Sequence, residues 1–191
     1  MYNGRNGLTY KMQEETAVNI SSLIEDCRRN NRKAQEMLYR QHYAFAMAIA
    51  MRYSSDEHDA ADIMSHAFVK LFKSIHTYDA QKGSFHSWLK RIVINEALDH
   101  IKARHRFITA REMEIAEEPS IENAVIERMN AQDIMTQIQK LPPATHAVFV
   151  LYAVEGFNHR EIAEKLNISE GTSKWHLSEA RKKLQQQLQH F

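Results

Sequence analysis

Apolar residues recur at three- and four-residue intervals along most of the chain, the period of helices that turn one face inward. Val18, Leu23, Ile24 and Cys27 predict a helix from near Glu14, ended by the polar, basic run Arg28 to Lys33. A longer helix is predicted from about Ala34 to Arg52. Its Met37, Leu38, Tyr39, Tyr43, Phe45, Ala46, Ile49 and Ala50 are too apolar for a surface helix and read as core. Ser54 to Asp56 makes a break and cap, and the next helix, from Asp59 to Phe72, has Ile63, Ala67, Phe68, Leu71 and Phe72 on its inner face. Asp59 and Asp62 lie near its start, where the helix dipole favours acids. Thr77 to Ser84 is a loop: Gly83 permits a turn, and Ser84 can cap a helix running from Phe85 to Arg106. That helix interleaves Phe85, Trp88, Leu89, Ile92, Leu98 and Ile101 with Lys90, Arg91, Lys102, Arg104 and Arg106.

The second half repeats the pattern on a smaller scale. Helical periodicity resumes at Ile121 and runs through Ile134 and Ile138. Asn158 can cap a short helix whose Glu161 sits at the third position of a capping box, and Ile162, Ala163 and Leu166 give it one apolar face. Asn167 tolerates the left-handed backbone of a tight stop, and Ser169 can cap a further helix with Leu177, Ala180 and Leu184 inside. Opposite that stripe the pattern places Thr172, Ser173, Lys174, Trp175, His176 and Arg181. Donors, cations and one flat ring on the free face of a packed helix suit a DNA major groove. An ordinary helical hairpin with a solvated polar face has the same spacing.

Composition supports an all-α chain. Only 5 Gly and 3 Pro interrupt 191 residues, too few breakers for a sheet protein, and 43% hydrophobic residues suffice for a core. Cys27 is the sole cysteine, so no intramolecular disulfide forms and the cytoplasm is the natural compartment; the thiol reads as a small helical filler. No apolar run is long enough to span a bilayer, so membrane insertion is not expected, and the N-terminus lacks a signal-peptide pattern. Residues 1–13 read as a disordered start.

Net charge is +1 only because three blocks cancel. Residues 1–106 hold 16 Lys and Arg against 12 Asp and Glu, residues 107–130 hold 2 against 6, and residues 131–191 hold 7 against 6. The expected organisation is therefore two small helical domains, 1–106 and 131–191, joined by an acidic linker at 107–130. Glu112, Glu114, Glu117, Glu118 and Pro119 mark that linker. The 11 His residues are scattered, without a Cys pair or a same-face spacing of four between His100 and His105, so no metal site is expected. No nucleophile–base set and no phosphate-cradling Gly motif is present, which argues against an enzyme and against a cofactor.

Three stretches resemble a known family. Leu141-Pro142-Pro143, Glu155-Gly156, Glu161-Ile162-Ala163, Ile168 to Thr172 and Ala180 to Leu184 keep register over more than forty residues. They resemble region 4 of bacterial sigma factors, especially the extracytoplasmic-function (ECF) group of the sigma-70 family. Ser173 stands where an aliphatic residue is common, and Trp175 is bulky for a position usually small. The resemblance implies that a helix-turn-helix reads the −35 promoter element through Glu170, Gly171, Thr172, Ser173, Lys174, Trp175, His176 and Arg181.

The stretch Tyr78 to Arg106 resembles regions 2.3 and 2.4 of the same family, which melt and hold the −10 element. Tyr78, Lys82, Phe85, Trp88, Lys90, Arg91, Asn95, Asp99, Lys102 and Arg104 are the residues this implies, with the Tyr78–Ser84 loop helping to trap an unstacked base. The Asp59 to Phe72 run resembles the region 2.2 helix that docks on RNA polymerase. It implies a polymerase-binding set of Asp59, Asp62, His66, Phe68, Lys70 and Phe72, with Ser65 and His66 replacing a usual Gln and acid. The expected function is an alternative sigma factor with core RNA polymerase, promoter DNA and an anti-sigma factor as partners. The rival is a stand-alone helix-turn-helix regulator that dimerises on symmetric half-sites. The linker acids either mimic nucleic acid near the polymerase RNA exit path or serve as a solubilising tether.

Overall fold

The computed structural model describes residues 20–104 and 131–188. The expected disordered start, the first turns from Glu14, the acidic linker and Arg106 lie outside the described residues.

The first half is a four-helix bundle. Helix α1 (Ile20–Arg28) buries Leu23, Ile24 and Cys27. Its Arg28 donates from Nη2 to the Tyr78 carbonyl at 2.6 Å, tying the start of the chain to the later loop. Helix α2 (Arg32–Ala50) is capped by Asn31, whose side chain accepts from the Lys33 and Ala34 amides. Its inner stripe, Ala34, Leu38, His42, Ala46 and Ile49, repeats almost every four residues. Helix α3 (Glu57–Ser74) starts on Asp56, which accepts from the Asp59 amide at 2.8 Å, and buries Ala60, Ile63, Met64, Ala67, Phe68 and Leu71. Helix α4 (Phe85–Arg104) starts beside Ser84, whose Oγ accepts from the Ser87 amide at 3.2 Å. It packs on α3 and α2, adding Val93, Ile94 and Ala97 to the apolar residues read from the sequence.

The second half begins with α5 (Ala131–Gln139) and α6 (Pro143–Phe149). Pro143 sits in the first turn of α6, where a missing amide hydrogen is no loss. A widened turn of π type covers Val150–Val154, with the Glu155 amide donating back to the Val150 carbonyl at 3.0 Å. Gly156 follows at φ +79°, a left-handed turn, and leads to α7 (His159–Leu166) and α8 (Glu170–Leu188). Helix α8 packs on α6 and α7.

The two halves touch. Helix α4 lies against α6 and α7. Gln139 donates from Nε2 to the Met51 carbonyl at 3.1 Å, and Arg52 pairs with Glu155 at 3.1 Å. Glu155 also pairs with Lys90, and its own side chain is fully buried. Beside these contacts the seam keeps a cavity of about 290 Å³ lined in part by Tyr53, Asp59, His100, Leu141 and His146.

Candidate nucleic-acid interface

Local chemistry sets α7 and α8 in place. Asn158 and Glu161 form the full reciprocal box: the Asn158 side chain accepts from the Glu161 amide at 3.0 Å, and the Asn158 amide donates to Glu161 Oε2 at 2.9 Å. Asn167 closes α7 at φ 56°, ψ 49°, the left-handed stop expected of it. Ser169 Oγ then accepts from the Thr172 amide at 2.9 Å and opens α8.

The rotation of α8 corrects three assignments. Thr172, Ser173 and His176 are not on the outer face: all three are buried, His176 at 1% exposure. Ser173 Oγ and His159 Nδ1 are 2.9 Å apart, and Thr145 Oγ1 and His176 Nδ1 are 3.0 Å apart. These bonds satisfy the Ser173 and Thr145 hydroxyls and one ring nitrogen of His176, whose Nε2 stays buried without a hydrogen-bond partner. Burial pulls the His176 pKa down to about 4, against a smaller upward pull from Glu179, so the ring is neutral. The outer face of α8 offers Glu170, Gly171 and Lys174, exposed, with Trp175 and Arg181 half-buried. The Trp175 ring meets His176 edge-on at 4.9 Å.

In the first half, the Thr77–Ser84 loop and the start of α4 enclose a cavity of about 520 Å³ lined by Tyr78, Lys82, Gly83, Ser84, Trp88 and Arg91, among others. Its aromatic wall is built by contact: Tyr78 and Trp88 are 5.4 Å apart between ring centres, and Tyr78 meets Phe85 edge-on at 5.6 Å. Tyr78 donates its hydroxyl hydrogen to the Gly83 carbonyl at 3.2 Å, bracing the loop. Phe85 is buried at 4% and supports the wall from behind; its ring faces cannot receive a base. Lys82 on the loop and Arg91, Asn95 and Lys102 on α4 are exposed. Lys90 is held by Glu155. Asp99 is held by Lys70 at 3.4 Å and Lys102 at 3.8 Å. Arg104 closes α4, and its side chain lies outside the described ones.

On α3 the assigned polymerase-facing residues divide. Asp62 and His66 are exposed, beside Val69 at 52%, and Phe72 is half-buried. Phe68 is buried at 3% against Tyr39 and Phe72, so it shapes the helix seat and cannot be a docking contact. Asp59 is also buried, accepting from Ser55 Oγ at 3.0 Å and lying 3.6 Å from His100 Nε2. Lys70 bonds to Glu96 at 2.9 Å, which with Asp99 raises its pKa against the effect of desolvation. Sequence reasoning missed Glu96 and the His159–Ser173 bond, and took Glu155 only as part of a motif.

Among the described residues no group of three or more His, Cys, Asp or Glu side chains could hold a metal ion. No described helix is long and apolar enough to cross a membrane.

Comparison with known proteins matches two separate stretches of the chain. The family described as Sigma-70 region 2 matches residues 38–107, and that described as Sigma-70, region 4 matches residues 131–184. The chain is similar to the ECF RNA polymerase sigma factor SigE of Mycolicibacterium smegmatis, 31% identical over 79% of this chain and 60% of that protein. It therefore spans about three-fifths of the length of that relative. It is also similar to the RNA polymerase sigma-H factor of Pseudomonas aeruginosa, 26% identical over 87% of this chain and 92% of that protein. A solved structure of the sigma factor RpoE with the anti-sigma factor NepR from Bartonella quintana shares the fold, with 20% identity, TM-score 0.50, and coverage of 81% of this chain and 96% of that one.

Proposed function

Because this chain belongs to the sigma-70 family, in its extracytoplasmic-function group, we propose that it works as an alternative sigma factor, binding core RNA polymerase and directing it to a specific class of promoter. Catalysis then belongs to the polymerase, and the chain acts in the cytoplasm. The observation that carries the reading is the pairing, on one chain, of an aromatic, cation-rimmed pocket with a donor-bearing helix on a helix-turn-helix.

In the first half, Trp88 and Tyr78 offer a stacking wall to a base flipped out of the −10 strand, with Lys82 and Arg91 near its phosphates. Unstacking a base costs a few kcal/mol, which stacking and cation contacts offset. Asn95 can donate to and accept from a base edge further along α4. In the second half, Lys174 and Trp175 face the −35 major groove, with Glu170, Gly171 and Arg181 at its walls. Thr172, Ser173 and His176 keep an indirect part: they fix the helix rotation that aims Lys174 outward. Asp62 and His66, with Phe72 partly beneath, form the polymerase contact on α3. An anti-sigma factor is a proposed partner, suggested by the company in which the NepR-bound relative was solved.

Run-off transcription tests this directly. The full chain is added to core polymerase with genomic fragments. Discrete promoter-dependent products appear only with both present, and the chain alone binds duplex DNA weakly. Tight binding by the chain alone at symmetric half-sites, with no transcript on adding core, supports the stand-alone regulator instead.

A further inference from the structure

We propose that Glu155 is an internal clasp that holds the two halves closed in the polymerase-free chain and keeps Lys90 away from DNA. A fully buried carboxylate is tolerated only when paired. Both cations that pair with Glu155 come from the other half of the chain: Arg52, just past the end of α2, and Lys90 on α4. The π-type turn at Val150–Val154 ends on this residue, and left-handed Gly156 turns the chain away immediately after it.

The rest of the seam mixes polar groups with the apolar side chains of Ile101, Leu141 and Pro143. It contains the Gln139 bond to the Met51 carbonyl and the cavity of about 290 Å³. The buried Tyr53 hydroxyl and His146 Nε2, both at that cavity, have no hydrogen-bond partner. Water can replace the polar contacts when the halves part. Arg52 and Lys90 are already 34% and 40% exposed, so opening strands neither charge.

Closure and promoter recognition are geometrically incompatible. Elements named −10 and −35 lie roughly 25 base pairs apart, about 85 Å at 3.4 Å per pair. Each half has a radius of gyration of roughly 10 to 12 Å by chain length. Two such bodies in contact cannot reach both elements. Opening breaks the Glu155 contacts and frees Lys90 for the −10 strand in the same step. The closure rests only on the contacts described; the masking of Lys90 rests on the −10 assignment of α4.

The test uses the full chain, Glu155→Ala and Arg52→Ala, with helix content checked by circular dichroism. Small-angle X-ray scattering reads closure, and binding of a fluorescent A/T-rich 12-nucleotide single strand reads masking. Glu155→Ala is expected to expand the chain and tighten strand binding about tenfold, ~1.4 kcal/mol. Arg52→Ala, which leaves Lys90 on Glu155, shifts both readings the same way by less, and carries the test alone should Glu155→Ala lose helix content. Unchanged scattering in the folded variants overturns the clasp, and expansion without tighter binding overturns the masking of Lys90. Wild-type run-off with core is scored separately, so failure of the sigma-factor reading leaves the scattering result standing.

Discussion

Neutral, buried His176 and His146 make the second half sensitive to mild acid. Burial lowers both pKa values from 6.5 to about 4; for His146 a hydrogen bond from the ring to the Arg52 backbone opposes this in part. A lowered histidine pKa means that the unfolded chain takes up the proton first as pH falls. The stability contribution is therefore complete above about pH 6.5 and is lost between there and pH 4. At pH 5 the linkage relation gives a loss of about 2 kcal/mol for each ring, about 4 kcal/mol together. That is a large part of the 5–15 kcal/mol typical of a folded domain. The decisive perturbation is Thr145→Val with His176→Leu, which removes donor and acceptor together and leaves no stranded hydroxyl. It should reduce the acid loss at pH 5 to about 2 kcal/mol, the share of His146. The assay is urea unfolding at pH 7.5 and 5.0, followed by Trp175 emission in a Trp88→Phe background. His42 in the first half also has a lowered pKa, from burial and from His86, so a probe in the second half is needed. If the double variant loses as much stability as its parent between the two pH values, His176 is not the buried titrating group and the rotation assigned to α8 is wrong.

Other consequences follow from the same geometry. Asp62→Ala, on the exposed face of α3, should weaken co-purification with core polymerase while leaving the unfolding midpoint unchanged; undiminished co-purification removes Asp62 from the docking surface. Lys174→Ala and Trp175→Ala should change the ranking of −35 variants in reconstituted transcription, with each lost base contact worth about 1–3 kcal/mol. An unaltered ranking excludes base reading by that side chain. Asn167→Ala forces an alanine into φ 56°, ψ 49° and should destabilise the second half by about 1–2 kcal/mol, whereas Asn167→Gly should be close to neutral. Equal thermal midpoints for the two variants contradict the left-handed stop.

The features that sequence alone placed well are those decided within a few residues. The Asn158–Glu161 box, the Asn167 stop and the Ser84 and Ser169 caps each need only the local backbone and one short polar side chain. Helix periods were equally legible, because one missing apolar residue in a stripe hardly moves it. The errors arose where polarity was read as exposure. Ser173 and His176 lie four residues before Leu177 and Ala180, so their spacing already put them on the inner face. What the spacing could not supply was a partner. His159 is 14 residues from Ser173, and Thr145 is 31 from His176. Phe85 and Phe68 show the opposite case: both fit the apolar face and are buried, although the family resemblance implies a ligand surface for them. The Glu155 contacts join residues 103 and 65 positions apart and depend on how two separate bundles meet, which no local pattern encodes.

Those misread polar residues explain how α8 can present one defined edge to DNA. A face of leucine and alanine alone tolerates small rotations, since apolar packing is not directional. The two hydrogen bonds are directional, and breaking either leaves a polar group of buried Ser173 or His176 unpaired. The Ser173–His159 bond ties α8 to α7, and the His176–Thr145 bond ties it to α6. With both made, the rotation of α8 is set from two sides, and Lys174 and Trp175 follow it. The departure from the family at Ser173 is then compensated within the chain: a hydroxyl where an aliphatic side chain is usual requires an acceptor or donor at hand, and His159 at the start of α7 supplies it. Replacing Ser173 with valine removes that need only if His159 also changes, so the two positions should tolerate substitution jointly and not singly.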